Sequence, residues 1–205
     1  MGKGAGATRL MGVPKSVNES YFISERARLG TLGNNIDFYN RKSGGFVIWE
    51  NGHQHPEQGR NNNEFKFARV LANAGYQVYL VDESPSGVSF RLSINGSKTH
   101  PDAKVGEYYY EQTTKNKNNK TYGILSALQH TSDKGVKLCA VYDRYGVLHR
   151  TDIQKGIDWY EHNRTTKDSS LLKLDGVIVV SKDNKIWWHD MGVSGKQWWD
   201  KMKKV

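Results

Sequence analysis

The chain has 205 residues, of which 37% are hydrophobic and 25% are charged, a balance typical of a globular domain with a polar surface. No run approaches the roughly 18 apolar residues of a transmembrane helix, so we expect no membrane partner. The basic N-terminus has no apolar segment, so we expect no signal peptide. Cys139 is the only cysteine, which excludes an intrachain disulfide, and its apolar neighbours predict a buried residue. This cysteine usage fits a reducing compartment such as the cytoplasm.

The charge balance of the chain indicates a polyanionic partner. Lys and Arg number 30 against 21 Asp and Glu, which gives a formal net charge of +9. An excess of this size attracts polyanions and accelerates association with them. Nucleic acid is the commonest such partner, and the 11 tyrosines and six tryptophans could supply stacking faces for its bases.

The first 60 residues are predicted to be a partly flexible N-terminal extension. Residues 1–20 are glycine-rich and polar, a composition that does not bury a core. The segment Glu19–Gly30 predicts a short helix that folds back on the domain. Phe46–Trp49 is a short apolar run after two glycines, which predicts a strand.

The segment "NNNEFKFARVLANAGYQVYLV" predicts a helix, a tight turn and a strand. Asn62 or Asn63 can cap a helix that starts at Glu64, and apolar residues follow at helical spacing. Gly75 can adopt a positive φ and end the helix. The alternating residues from Tyr76 onwards predict the strand.

The rest of the chain predicts alternating strands and helices. The pattern places the main domain at residues 61–205 and gives it an α/β fold class, with a mixed central sheet flanked by helices. The predicted elements are a strand at 88–96, a turn at 104–106, a strand at 108–113, a helix at 121–135, a buried central strand at 136–143, a helix at 152–164, a buried strand at 174–181 and an edge strand at 186–189.

Three acidic residues could form a metal site within this arrangement. Glu64 opens the first helix of the main domain, Asp102 follows Pro101, and Glu111 lies nine residues later. A turn near Gly106 would fold a hairpin and bring Asp102 close to Glu111. Glu64 could reach the same place from its helix start. Taken alone, each of these residues also fits an ordinary solvated surface.

The segments "NEFKFARVLANAGYQVYL", "PDAKVGEYYYEQT" and "VKLCAVYD" resemble the PD-(D/E)xK nuclease superfamily. The likeness is to the toxin domains of contact-dependent inhibition systems and mobile-element effectors. It covers residues 61–180 and implies a restriction-endonuclease-like core. The Glu-x-Lys position of the family reads Glu111-Gln112-Thr113. Thr113 therefore stands where lysine is expected, and Lys104 or Lys115 would have to replace it.

The resemblance implies a nuclease that depends on Mg²⁺ or Mn²⁺. A divalent ion neutralises phosphodiester charge and lowers the pKa of the attacking water, and Mg²⁺ prefers oxygen ligands. The implied metal ligands are Asp102, Glu111, the backbone carbonyl of Gln112, and Glu64. The implied catalytic residues are Glu64, Asp102, Glu111, Thr113 and Lys115. The predicted nucleic acid contacts are Lys104, Lys115, Lys117 and Lys120, three of them in the basic segment "KNKNNK".

For such toxins the resemblance implies DNA or tRNA as substrate and a cognate immunity protein as partner. It also implies action in the cytoplasm, after delivery from another cell as part of a larger protein. Three alternatives remain open on the residues alone. His100 could serve a metal-independent RNase, and His53 and His55 have a spacing that can bind zinc. Thr113 is compatible with an inactive nuclease fold that only binds nucleic acid or protein.

Overall fold

The computed structural model describes most of the chain beyond the first 16 residues. The described residues are 17–29, 37–50, 53, 63–81, 90–93, 102–108, 118–135, 138–143, 145–181, 183–191 and 197–200.

Four helices and nine strands form in the described part of the chain. The helices are α1 (Glu19–Leu29), α2 (Asn63–Asn73), α3 (Asn118–Asp133) and α4 (Arg150–Thr166). The strands are β1 (Phe38–Tyr39), β2 (Phe46–Trp49), β3 (Gln77–Leu80), β4 (Phe90–Ser93), β5 (Asp102–Tyr108), β6 (Leu138–Asp143), β7 (Gly176–Ser181), β8 (Ile186–Asp190) and β9 (Gln197–Asp200). None of these helices is long and apolar enough to cross a membrane.

The strands make one mixed sheet in which spatial order follows chain order, from β1 to β9. β2 and β3 are parallel, as are β5 with β6 and β6 with β7, while the other neighbouring pairs are antiparallel. Each parallel connection passes through a helix, because a parallel crossover must return the chain across the sheet. The α/β class with a mixed central sheet is therefore confirmed.

Helices cover both faces of the sheet. Helix α2 packs on one face, over a core that includes Trp49, Phe65, Leu71, Tyr76 and Trp188. On the other face, α3 and α4 cover β6 and β7, and α1 covers β2 and β3. Every residue of β6 and β7 is buried, as expected for strands covered on both sides.

The segment before residue 61 contributes directly to this sheet. Strand β2 lies between β1 and β3. On α1, Phe22 is buried against Phe46 and stacks on Tyr39, with ring centroids 5.3 Å apart. Arg26 forms an ion pair of 2.6 Å with Asp37. The predicted helix and strand of this segment are confirmed, and both belong to the same packed unit as the strands that follow.

The turn between α2 and β3 forms as the sequence predicts. Gly75 has a φ of 102°, which favours glycine. Gly45, just before β2, lies so close to this turn that a Cβ atom would stand 2.1 Å from the backbone oxygen of Ala72. The close approach lets the end of α2 rest on the start of β2.

Three local predictions are wrong. The turn predicted at Lys104–Gly106 is absent, because β5 continues through it and pairs with β6 along its length, with Gly106 opposite Val141. An isolated glycine is a weak turn signal, and pairing with a neighbouring strand overrides it. Strand β8 is not an edge, because β9 pairs outside it. The end of the predicted basic loop, Asn118–Lys120, is the first turn of α3.

Candidate functional site

Glu64 and His53 form a buried pair at the end of β3. The Nε2 atom of His53 lies 3.0 Å from Oε2 of Glu64, and its Nδ1 atom lies 2.7 Å from the backbone oxygen of Val81. His53 is 2% exposed and Glu64 is 9% exposed. The imidazole therefore links the first turn of α2 to the residue that follows β3.

Local structure positions both side chains. Asn63 begins α2, so the carboxylate of Glu64 lies at a helix N-terminus, where the helix dipole favours negative charge. The ring of Trp49 meets the ring of His53 edge-on at 5.0 Å and stacks on Phe65 at 6.2 Å. These aromatic walls exclude water from one side of the pair, which strengthens the hydrogen bonds within it.

The hydrogen-bond pattern restricts where the protons of this pair can be. The carbonyl of Val81 can only accept, so Nδ1 of His53 carries a hydrogen and donates it. The Nε2 atom of His53 then faces the carboxyl group of Glu64, so each of these buried polar groups has a partner in the other.

The structure places two of the predicted site residues on β5. Asp102 begins the strand, and Lys104 lies two residues later. Asp102 and Tyr108 are about 20 Å apart along a continuous strand of seven residues. The hairpin that was predicted to bring Asp102 next to Glu111 is therefore absent. Glu111, Gln112, Thr113, Lys115 and Lys117 lie outside the described residues.

The strand register relates Asp102 to the Glu64 pair. Asp102 is opposite Arg91 on β4, and Arg91 is opposite Tyr79 on β3. Neighbouring strands are about 4.8 Å apart and residues along a strand about 3.3 Å apart. The Cα atom of Asp102 is accordingly about 12 Å from that of Val81, whose carbonyl holds His53. The two acidic positions thus lie in the same region of the sheet.

The described side chains do not by themselves complete a metal site. Among them, no group of three or more His, Cys, Asp or Glu residues could hold an ion. The zinc alternative loses support, because both ring nitrogens of His53 contact protein oxygens, and His55, like His100 of the RNase alternative, lies outside the described residues. Carboxylate oxygens do suit Mg²⁺, so Glu64 fits the predicted ion in chemical type.

Lys120 has a structural contact rather than a place in a loose loop. Its Nζ atom donates a hydrogen bond of 2.7 Å to the carbonyl of Val147. The same loop is held by buried Asp143, whose two carboxylate oxygens accept hydrogen bonds from the backbone nitrogens of Val147 and Leu148. The ammonium group of Lys120 therefore helps to fix the connection between β6 and α4.

No pattern in the sequence indicates the contact between His53 and Glu64. The two residues are 11 positions apart in the chain, and no helical or strand period links them. A second feature that the sequence did not reveal is a groove between α3 and α4. Tyr122 and Trp159 line this groove and are both exposed.

Comparison with protein-family models, with curated proteins and with solved structures finds no match to this chain. Functional inference therefore depends on the residues and their geometry.

Proposed function

We propose that the protein is a metal-dependent nuclease with a restriction-endonuclease-like core and that Glu64 belongs to its acidic centre. The observation that carries the proposal is the buried carboxylate of Glu64, fixed by His53 at a helix start beside the end of β3. A buried carboxylate needs a compensating partner, and sites that bind ions or catalyse reactions commonly hold their acidic residues in this way.

The element order supports the same proposal. Helix α2 is followed by the antiparallel strands β3, β4 and β5, then by α3 and the strand β6, which is parallel to β5. These are the elements on which the resemblance to PD-(D/E)xK nucleases depends. The net charge of +9 favours a polyanionic substrate.

Within this proposal, each described residue has a specific task. An ion bound at the site would neutralise phosphate charge and activate water. Glu64 would contribute its carboxylate to the ion, since carboxylate oxygens suit Mg²⁺, and its Oε2 atom contacts His53. His53 orients the carboxylate, as hydrogen-bonded partners of metal ligands generally do. Asp102 and Glu111 remain the other proposed acidic ligands, and Thr113, Lys104 and Lys115 the proposed residues near the attacking water. The proposed substrate is DNA or tRNA, and the proposed protein partner is an immunity protein.

A cleavage assay tests the proposal. Plasmid DNA and total RNA are incubated with the protein in Mg²⁺, in Mn²⁺ and in EDTA. We expect cleavage that EDTA abolishes and that Glu64→Gln, Asp102→Asn and Glu111→Gln each reduce by at least about a hundredfold. Glu161→Gln is the matched control, because Glu161 lies on the surface of α4 in an ion pair with Arg164.

Each other outcome has a distinct meaning. Cleavage that persists in EDTA supports the histidine RNase instead. Binding without cleavage under every condition supports an inactive nuclease fold. Full activity of Glu64→Gln refutes the assignment of Glu64, whatever the substrate.

A further inference from the structure

An open groove lies between α3 and α4, on the outer side of this helical layer. Its volume is about 290 Å³, near the lower end of the roughly 300–1,000 Å³ common for small-ligand sites. Tyr122 is 56% exposed and Trp159 is 38% exposed. The described residues that line it are Tyr122, Leu125, Trp159, His162, Asn163 and Lys167.

The packing of the two helices creates this groove. Gly156 of α4 lies so close to α3 that a Cβ atom there would stand 2.5 Å from the side chain of Ile124. Beyond this contact, Trp159, His162 and Asn163 project from one face of α4, because residues three and four apart are neighbours on a helix. Leu125 is 9% exposed and lines the groove from α3.

The two exposed aromatic rings hold each other in place. The ring centroids of Tyr122 and Trp159 are 5.1 Å apart, and the ring planes meet at 62°. Edge-to-face pairs of this kind are favourable. A ring that is held in place before binding loses little conformational entropy when a ligand stacks on it. The pair is therefore a preorganised surface for a flat apolar group.

The polar residues of the groove select the ligand class. Lys167 supplies a positive charge, His162 offers ring nitrogens for hydrogen bonds, and Asn163 offers an amide that can donate and accept. Among the described lining residues none is acidic, and the chain as a whole carries +9. A flat aromatic group with hydrogen-bonding edges and an attached anion complements these features, and a nucleotide has all of them.

We propose that the groove between α3 and α4 binds an unpaired nucleotide of a single-stranded nucleic acid, with its base on Trp159 and its phosphate at Lys167. In a duplex both faces of a base are already stacked, so a duplex cannot use this surface in the same way. The inference deepens the proposed function, on which it rests for the ligand class, by assigning a single-stranded substrate region. It concerns binding alone and is tested without cleavage.

Fluorescence anisotropy in EDTA measures the Kd for fluorescein-labelled oligothymidylate, oligouridylate and a duplex of mixed sequence. Stacking on an aromatic residue contributes about 1–3 kcal/mol per base, so Trp159→Ala should raise the Kd for single strands about 5- to 150-fold. Tyr122→Ala should raise it less, and Trp159→Phe should restore most of the affinity. Lys167→Ala should reduce the slope of log Kd against log salt by about 0.7. The duplex Kd should not depend on Trp159.

Two variants serve as matched controls. Lys155→Ala removes an exposed lysine of α4 outside the groove, and Ile23→Ala removes the other exposed large apolar side chain of the described residues. Lys155→Ala should raise the Kd for single strands only slightly, through the loss of one positive charge from the surface. Ile23→Ala should leave this Kd unchanged. Circular dichroism of each variant monitors folding, and Tyr122→Ala together with Lys167→Ala provides the readout if Trp159→Ala unfolds.

The proposal is wrong if Trp159→Ala and Tyr122→Ala bind single strands as tightly as the unaltered protein does. Equal weakening of single-strand and duplex binding also refutes it, because base stacking would then play no part. An unchanged Kd together with reduced self-association in sedimentation would assign the groove to a second copy of the chain. Absence of cleavage with every metal ion would refute the proposed nuclease but leave these Kd comparisons intact.

Discussion

Replacing His53 by phenylalanine should destabilise the protein because two buried hydrogen bonds disappear while the ring volume stays nearly the same. The lost bonds are those to the carbonyl of Val81, at 2.7 Å, and to Glu64, at 3.0 Å. A neutral hydrogen bond contributes about 1 kcal/mol and one to a charged group about 2 kcal/mol. We therefore expect the free energy of unfolding to fall by about 3 kcal/mol.

Thermal unfolding followed by circular dichroism measures this effect. For chains of about 150–250 residues, 1 kcal/mol shifts the Tm by about 2–4 °C, so His53→Phe should lower the Tm by about 6–12 °C. His130→Phe is the matched control, because His130 is exposed on α3. Surface substitutions usually change stability by less than about 0.5 kcal/mol.

A double-mutant cycle separates the contact with Glu64 from the other effects of the substitution. Glu64→Gln, His53→Phe and the double variant should give a coupling energy of about 1–2 kcal/mol. The half-buried surface pair Glu161 and Arg164, 2.7 Å apart, should give only about 0.3–0.5 kcal/mol in its own cycle. If the Tm of His53→Phe equals that of the unaltered protein and the coupling energy is near zero, the pair does not hold α2 to β3.

Two further predictions concern packing and burial. Gly45→Ala should lower the free energy of unfolding by about 3 kcal/mol or prevent folding, because its Cβ would overlap backbone atoms. Gly135→Ala, at φ +72° with nothing nearby, should lower the free energy of unfolding measured by chemical denaturation by only about 1–2 kcal/mol. Burial raises the pKa of Cys139 to about 12 from 9.0, so a thiol reagent at pH 8 should label it only after unfolding. Above pH 9 the unfolded thiol ionises while the buried one stays neutral, so stability should fall as the pH rises from 9 towards 12. Fast labelling of the folded protein would contradict the burial of Cys139, and equal costs at the two glycines would contradict the close contact at Gly45.

Much of the fold follows from local sequence patterns. The helix after Asn63 and the strand that follows Gly75 were predicted almost to the residue, because a cap, an apolar stripe and a helix-ending glycine lie next to one another. The strands β6 and β7 were predicted from continuous apolar runs, which need cover on both faces.

Non-local contacts explain where sequence prediction failed. Gly106 suggested a turn, but pairing with β6 keeps it in an extended strand. Strand β8 was predicted to be an edge strand because no periodicity in the sequence indicated β9. In the structure, β9 pairs beside it. Strand pairing joins residues far apart in the chain, so its free energy is absent from any local pattern.

For the candidate site, the sequence identified Glu64 as an acidic residue at a helix start, and its chemistry determined which ions would suit it. Only the tertiary structure brought His53 to its carboxylate and placed Trp159 beside Tyr122. Both pairings depend on side chains that meet when distant elements pack against each other. The sequence fixes which groups are present and their local conformation, while the distances between them are determined by the packing of the helices on the sheet.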